Sequence, residues 1–347
     1  MSALASLLEQ VRAAIAAEQP LRIVGGDSKR HFGRATTGEL LDMRAHTGVV
    51  DYQPSELVIT ARAGTTVSEL QEVLADENQV LACEPPEFDG KGTVGGALAC
   101  NLSGPSRPWL GSVRDHVLGV RIINGKGEHL RFGGQVMKNV AGYDVSRLMA
   151  GALGTLGILT EVTLKVLPRP EATMTVRRAI SAIDALRVMN DISRQPFPVT
   201  GACWYDGNMH VRLAGPASAV AAAAGQLEGE VLPDDDGLWE GLREMSLPFF
   251  TDAKDLWCVS LRSTHEHVLR DQNWLLDWRG ARRWLAAPVG RDVLDTVGGE
   301  AWQMRGAANG AEVFQERNEA YRRTLLQLKR ALDPGGIFNP GRLYSWM

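Results

Sequence analysis

At 347 residues the chain is long for one domain, so two or three compact units are expected. With 44% hydrophobic and 22% charged residues it can build a sizeable core. Its net charge of −4, from 37 basic and 41 acidic residues, argues against nucleic acid as the main partner.

The opening run MSALASLLEQVRAAIAAEQP lacks the basic region and cleavage site of a signal peptide. Leu4, Leu7, Leu8, Val11 and Ile15 fall instead at helical spacing. No apolar run approaches the ~20 residues of a membrane helix. The expected location is cytoplasmic. Cys83, Cys100, Cys203 and Cys258 form no C-x-x-C pair, which removes the usual spacing of an iron–sulfur cluster or structural zinc. Buried reduced thiols are expected, and no metal site.

Leu21–Val24 reads as a strand that runs into a glycine loop, Gly25-Gly26-Asp27-Ser28-Lys29. Short strands follow near Leu40, Val49 and Leu57–Thr60, then an amphipathic helix over Val67–Asp76 with Val67, Leu70, Val73 and Leu74 inward. The stretch Gly92–Gly104, GTVGGALACNLSG, is the densest in small residues. It reads as a turn into a short helix, whose start could offer free N–H groups to an anion. A tight turn with close helix packing is the competing reading.

Val117–Ile123 and Glu128–Phe132 read as strands joined at Asn124-Gly125, a strong hairpin signal. No complete G-x-G-x-x-G follows a strand, and no Walker A sequence is present, so a Rossmann NAD site has no support. Residues Lys138–Ala150 read as a helix. A third glycine-spaced segment, Gly151–Gly157, precedes an alternating strand over Ile158–Val166.

Composition then shifts: of nine tryptophans only Trp109 precedes residue 171. We therefore expect a cofactor domain over 1–170, a second, cap-like α+β domain over 171–310, and a C-terminal helix and loop over 311–347. The helix is expected over Asn318–Leu332, with Tyr321, Leu325, Leu328 and Leu332 inward. The fold class is mixed α+β.

Four segments in order now resemble the FAD-binding domain of the vanillyl-alcohol oxidase / p-cresol methylhydroxylase (PCMH) family. They are VGGDSK at 24–29, GTVGGALACNLSG at 92–104, GSVRDHVLG at 111–119 together with GTLGILTEVTLKV at 154–166, and DPGGIFNPGRL at 333–343. Within that family, the run from Ser103 to Val166 resembles the FAD-binding E subunits of bacterial glycolate oxidase (glycolate dehydrogenase). The resemblance implies two α+β subdomains around an extended FAD. It places Gly25, Gly26, Asp27, Ser28 and Lys29 on the first pyrophosphate loop. It places Thr93, Val94, Gly95, Gly96, Ala99, Asn101, Ser103 and Gly104 on the second. Ser112 and Ile158 would lie on the flavin side, and Asn339 would approach the isoalloxazine.

The resemblance also implies partners, a larger flavoprotein subunit and an iron–sulfur subunit, with any membrane contact at the inner face made through them. The substrate would be a small 2-hydroxy acid, glycolate or D-lactate. Two departures matter. Relatives with a histidyl-linked flavin carry His where this chain has Asp27, so non-covalent FAD is expected. Catalytic relatives carry H-x-G-D-G-N-x-H, but here the string runs from Cys203 through Asp206-Gly207-Asn208 to His210, and a hairpin turn is favoured over a metal site. His265 and His267 are a poor metal signal on spacing alone. Arg114 and His116 sit beside the cofactor motifs, but no catalytic base is assigned. Three roles stay open: a subunit of a glycolate-oxidising complex, a self-sufficient FAD enzyme, and an assembly subunit that keeps the flavin fold.

Overall fold

Short-range signals start most elements. Ser2 caps the helix Ala3–Ala16 by accepting from the Ala5 N–H. Thr66 and Glu69 form a reciprocal capping box on the helix Val67–Asp76, which buries Val67, Leu70 and Leu74. Asn124 folds the hairpin after Val117–Ile123: its side-chain oxygen accepts from the N–H groups of Lys126 and Glu128, both at 3.0 Å. The computed structural model describes residues 2–347 except 135–142, 233, 234, 236, 267–270, 307–311 and 316. Part of the helix expected over Lys138–Ala150, His267 and two of the three acidic residues near 235 lie outside these. Within the described part of 138–150 the helix spans Val145–Leu148.

The chain divides into two compact units. The first comprises residues 1–102, 112–168 and 312–347. Its strands are β1 (Leu21–Val24), β2 (Glu39–Asp42), β3 (Val49–Gln53), β4 (Val58–Arg62), β5 (Gln79–Val80), β6 (Val117–Ile123), β7 (His129–Gly133), β8 (Ile158–Lys165) and β9 (Leu167–Pro168). β1 and β2 pair in parallel, and a five-stranded sheet runs β3-β4-β8-β6-β7. Central β8 reads ILTEVTLK and is buried along most of its length, as a strand covered on both faces must be. The core gathers Leu21, Leu41, Ile59, Leu70, Leu98, Ile122, Val162 and Phe338 among others.

The C-terminal helix spans Glu319–Leu332 and is capped by Asn318. Leu325 is buried, but Tyr321, expected inward, is 44% exposed under the Arg317 guanidinium. Lys329 takes the inward place instead. The residue is 5% exposed, and its ammonium donates to Asp333 Oδ2 at 2.7 Å, Thr155 O at 2.8 Å and Phe338 O at 2.9 Å. A buried cation is stable there because every one of its three protons has an acceptor.

The second unit comprises 103–111 and 169–311. Its strands are β10 (Ala172–Ala179), β11 (Val199–Tyr205), β12 (Asn208–Gly215), β13 (Glu230–Leu232), β14 (Leu256–Ser260), β15 (Trp274–Asp277), β16 (Arg282–Leu285) and β17 (Glu300–Arg305). They form one antiparallel sheet in the order β13-β10-β12-β11-β15-β16-β14-β17. The helices Ala182–Ile192 and Ala217–Ala224 pack into its core.

Asp206 and Gly207 both take positive φ, 50° and 76°, and turn β11 into β12 as a two-residue hairpin. His210 then faces Cys203 across the ladder and is 8% exposed. Burial, reinforced by the nearby Arg177 charge, brings the His210 pKa down to about 4. Unfolded, the same imidazole protonates near pH 6.5. Between pH 6.5 and 4 the unfolded chain therefore binds the extra proton, and stability falls as pH falls. The loss approaches roughly 3 kcal/mol. His210→Leu should flatten this limb of a melting-temperature profile. An acid limb as steep as that of the native chain would rule the histidine out as its source.

Candidate functional site

The first unit carries a pocket of about 450 Å³, well within the range of small-molecule sites. β1 ends at its rim, and the loop that follows forms one wall. Gly25, Gly26, Asp27, Ser28 and Lys29 all line it, as do Thr93, Gly95, Gly96, Ala99 and Asn339. The loop is glycine for a steric reason: a Cβ on Gly25 would lie 2.4 Å from Thr93 Oγ1, and one on Gly26 only 1.5 Å from Lys91 O. The two glycine segments thus pack directly on each other.

Their hydrogen-bonding states differ. Among the described residues, no protein acceptor takes the N–H groups of Gly25, Gly26, Asp27 or Ser28. The first helical turn after Thr93 has no such spare donors. The Val94 N–H donates to Thr65 O at 2.8 Å, Gly95 to Ala63 O at 2.9 Å and Gly96 to Thr93 Oγ1 at 3.2 Å. The expectation of free N–H groups at that helix start is therefore corrected. This segment serves as the floor against which the first loop is laid.

Charge follows the same wall. Arg22, Lys29, Arg30 and Arg342 line the pocket against a single carboxylate, Asp27. Asp27 is itself paired with Arg30 and, at 3.8 Å, with Arg22. The Lys29 side chain is 6% exposed, and its ammonium lies 5.1 Å from the Phe88 ring centroid. Burial lowers the pKa of Arg342 and raises that of Cys100, keeping the latter a neutral thiol. Such a surface favours an anion that accepts hydrogen bonds.

Other expected residues sit elsewhere. Val94 and Ile158 are buried in the core at 2% and 0% exposure. Asn101 ends the short helix, and its side-chain oxygen accepts from the Arg114 N–H at 3.1 Å. Ser112 donates through both N and Oγ to Asp115 Oδ2, at 2.8 and 2.7 Å. Ser103 and Gly104 belong to the second unit, where their carbonyls accept from Arg282 Nη1 at 3.0 Å and Trp278 Nε1 at 2.9 Å. Arg282 is sandwiched there, 3.8 Å from the Trp278 ring and ion-paired with fully buried Asp277. Asn339 lines the pocket, but both ends of its amide are used: Oδ1 accepts from Ile23 N–H and Nδ2 donates to Leu153 O, each at 2.8 Å. It pins the C-terminal loop to β1. His116 is buried, its Nδ1 3.1 Å from Lys165 O.

Sequence reasoning passed over Arg22, Arg30, Met43, Cys100, Leu153, Gly154 and Arg342 as pocket residues. Arg342 had a usable signal, because it sits in the NPGR run already singled out. Among the described residues no His, Cys, Asp or Glu cluster has the makings of a metal site, and no helix is long and apolar enough to cross a membrane.

Residues 3–133 match a family described as an FAD binding domain. Over 344 residues the chain is 46% identical to glycolate oxidase subunit GlcE of Escherichia coli (strain K12), covering 98% of this chain and 97% of that one. Glycolate oxidase subunit GlcD of Bacillus subtilis (strain 168) is 34% identical over 152 residues, 43% of this chain and 32% of its own. Among solved structures, an alkyldihydroxyacetonephosphate synthase shares the fold with a TM-score of 0.68 at 16% identity, over 98% of this chain and 75% of that one. The mixed α+β reading and the N-terminal FAD-binding domain both stand.

Proposed function

We propose that this chain, which belongs to the glycolate oxidase subunit GlcE family, holds one FAD non-covalently in its first unit and works inside a glycolate-oxidising complex. It is an FAD-dependent oxidoreductase subunit of the glycolate oxidase type. Its partners are a larger flavoprotein subunit and an iron–sulfur subunit, and the substrate is glycolate or D-lactate. Any membrane contact is made through those partners.

One observation carries the cofactor reading. Four adjacent N–H groups, Gly25 to Ser28, lack a protein acceptor among the described residues and share a wall with the cationic side chains of Arg22, Lys29 and Arg30. That donor set fits a pyrophosphate. Gly25 to Ser28 would donate to its oxygens, Lys29 and Arg30 would balance its charge, and Thr93 and Gly96 would back the loop. FAD bound there supplies the two-electron acceptor that oxidation of a 2-hydroxy acid needs. Asp27 stands where a histidyl link would start and is held by two arginines, which supports non-covalent attachment. The lining residues include no histidine among those described, and Asp27 is engaged. The pocket is thus suited to holding a cofactor rather than to taking a substrate proton.

An anaerobic glycolate titration, followed by flavin absorption, tests this. Flavin on this chain should stay oxidised when the chain is alone and bleach once the partner subunits are added. Bleaching of the isolated chain would make it a self-sufficient enzyme. A complex whose only flavin sits on the larger subunit would make it an assembly subunit. Denaturation should release FAD into solution; flavin that stays with the polypeptide would overturn the non-covalent reading.

A further inference from the structure

The chain between β1 and β2 folds around one side chain from the far end of the sequence. The Arg342 guanidinium donates through Nη1 to Arg34 O at 3.0 Å. Through Nη2 it faces Lys29 O at 3.1 Å, Arg30 O at 3.3 Å and Phe32 O at 2.9 Å. The main chain joins the same knot: the Arg34 N–H donates to Arg342 O at 2.9 Å, and the Arg342 N–H donates to Asn339 O at 3.1 Å. Gly33 makes the turn at φ +89°, where a Cβ would come within 3.0 Å of Arg342 O. Arg342 also lines the pocket.

Four carbonyl dipoles from one short loop thus converge on a single cation. Without it they repel one another and lose this shared donor, though Lys29 O keeps the Phe32 N–H at 3.0 Å. A trans peptide carries its N–H opposite its carbonyl, so holding these oxygens fixes the peptide planes that follow Lys29, Arg30, Phe32 and Arg34 and anchors the C-terminal end of the Gly25–Ser28 segment. The guanidinium reaches three of them from Nη2 and the fourth from Nη1, two positions that the one nitrogen of an ammonium cannot occupy together.

We infer that Arg342 is a positioning residue that orders residues 29–34 and so anchors the C-terminal end of the Gly25–Ser28 segment, whose N–H groups are presented to an anionic ligand. It acts through the geometry of its fork rather than as a charge on that ligand. The affinity part of this inference rests on the FAD reading above; the loop-ordering part does not.

Two measurements on Arg342→Lys and Arg342→Met separate the parts. The first is amide hydrogen exchange of the ligand-free chain. Both variants should exchange about tenfold faster at Phe32 and Arg34, whose N–H groups are hydrogen-bonded within this knot, with β6 and β8 unchanged. The second is titration with FAD, in which both variants should bind about tenfold more weakly than the native chain and within a factor of about two of each other. Native affinity in Arg342→Lys beside a loss in Arg342→Met would overturn the inference in favour of a direct charge contact. So would unchanged exchange at Phe32 and Arg34, or exchange raised equally throughout the first unit. If the exchange pattern appears as expected but the native chain takes up no FAD, the cofactor reading fails and the loop-ordering role stands.

Discussion

Gly26→Ala should empty the cofactor pocket. The added methyl would sit 1.5 Å from Lys91 O and 2.6 Å from Lys91 C, both main-chain atoms with no rotamer to yield. The 87–93 segment is tied down: the Gly92 N–H donates to Glu87 O at 2.6 Å, and the Val67 N–H to Gly92 O at 2.7 Å. The strain therefore falls on the Gly25–Ser28 stretch, whose N–H groups have no protein acceptor among the described residues. Overpacking of this kind costs about 1–3 kcal/mol or more. Because it displaces the donors themselves, FAD affinity should fall by at least about 100-fold, equivalent to roughly 2.7 kcal/mol. The fold should survive, with melting lowered by only several degrees. Flavin fluorescence titration of the variant reads the loss. Native affinity in Gly26→Ala would mean that the loop does not contact the ligand.

Asp333→Ala should be the most destabilising single change in the first unit. Asp333 is 1% exposed and Lys329 5%. Besides pairing with Lys329, the carboxylate accepts from the Ile337 N–H at 3.3 Å and the Phe338 N–H at 2.9 Å. Removing it leaves a buried ammonium unpaired, at a cost of roughly 3–5 kcal/mol. Burial already lowers the Lys329 pKa, with Asp333 pulling it back up. In the variant that pull is gone, and the folded pKa drops further below the unfolded one. Above that folded pKa the unfolded chain binds the extra proton, so the variant should regain stability as pH rises. Asp333→Asn keeps an acceptor and should fall between the two. Denaturant melts at neutral and alkaline pH test this. An Asp333→Ala chain within about 0.5 kcal/mol of native would show that the pair is not structural.

Features with local causes were legible from the sequence. The helix Val67–Asp76 carries its own capping box and apolar stripe, and the hairpin at Asn124 carries its own side-chain bonds. The Asp206-Gly207 turn is set by two residues that tolerate positive φ. The first glycine loop was legible because a strand delivers Gly-Gly directly into the pocket.

What escaped the sequence depends on distant partners. GTVGGA looks like an anion cradle, yet its N–H groups are taken by Thr65 and Ala63 from a neighbouring segment. Ser103 and Gly104 close a glycine motif in sequence, while Arg282 and Trp278 fix their carbonyls in the second unit. Lys329 reads as a surface charge on an amphipathic helix until Thr155 and Phe338 are seen to bury it. Arg342 meets its four carbonyls only after some 310 residues of intervening chain, and no window of sequence spans that pairing.

Whether the Gly25–Ser28 loop holds FAD is tested most directly by calorimetric titration of the isolated, folded chain. The expected result is one FAD per chain, with ADP competing because the pyrophosphate is the part gripped, and no measurable uptake by Gly26→Ala. A folded native chain that takes up no FAD, or that binds it equally well with Gly26 replaced, would contradict the assignment of this pocket.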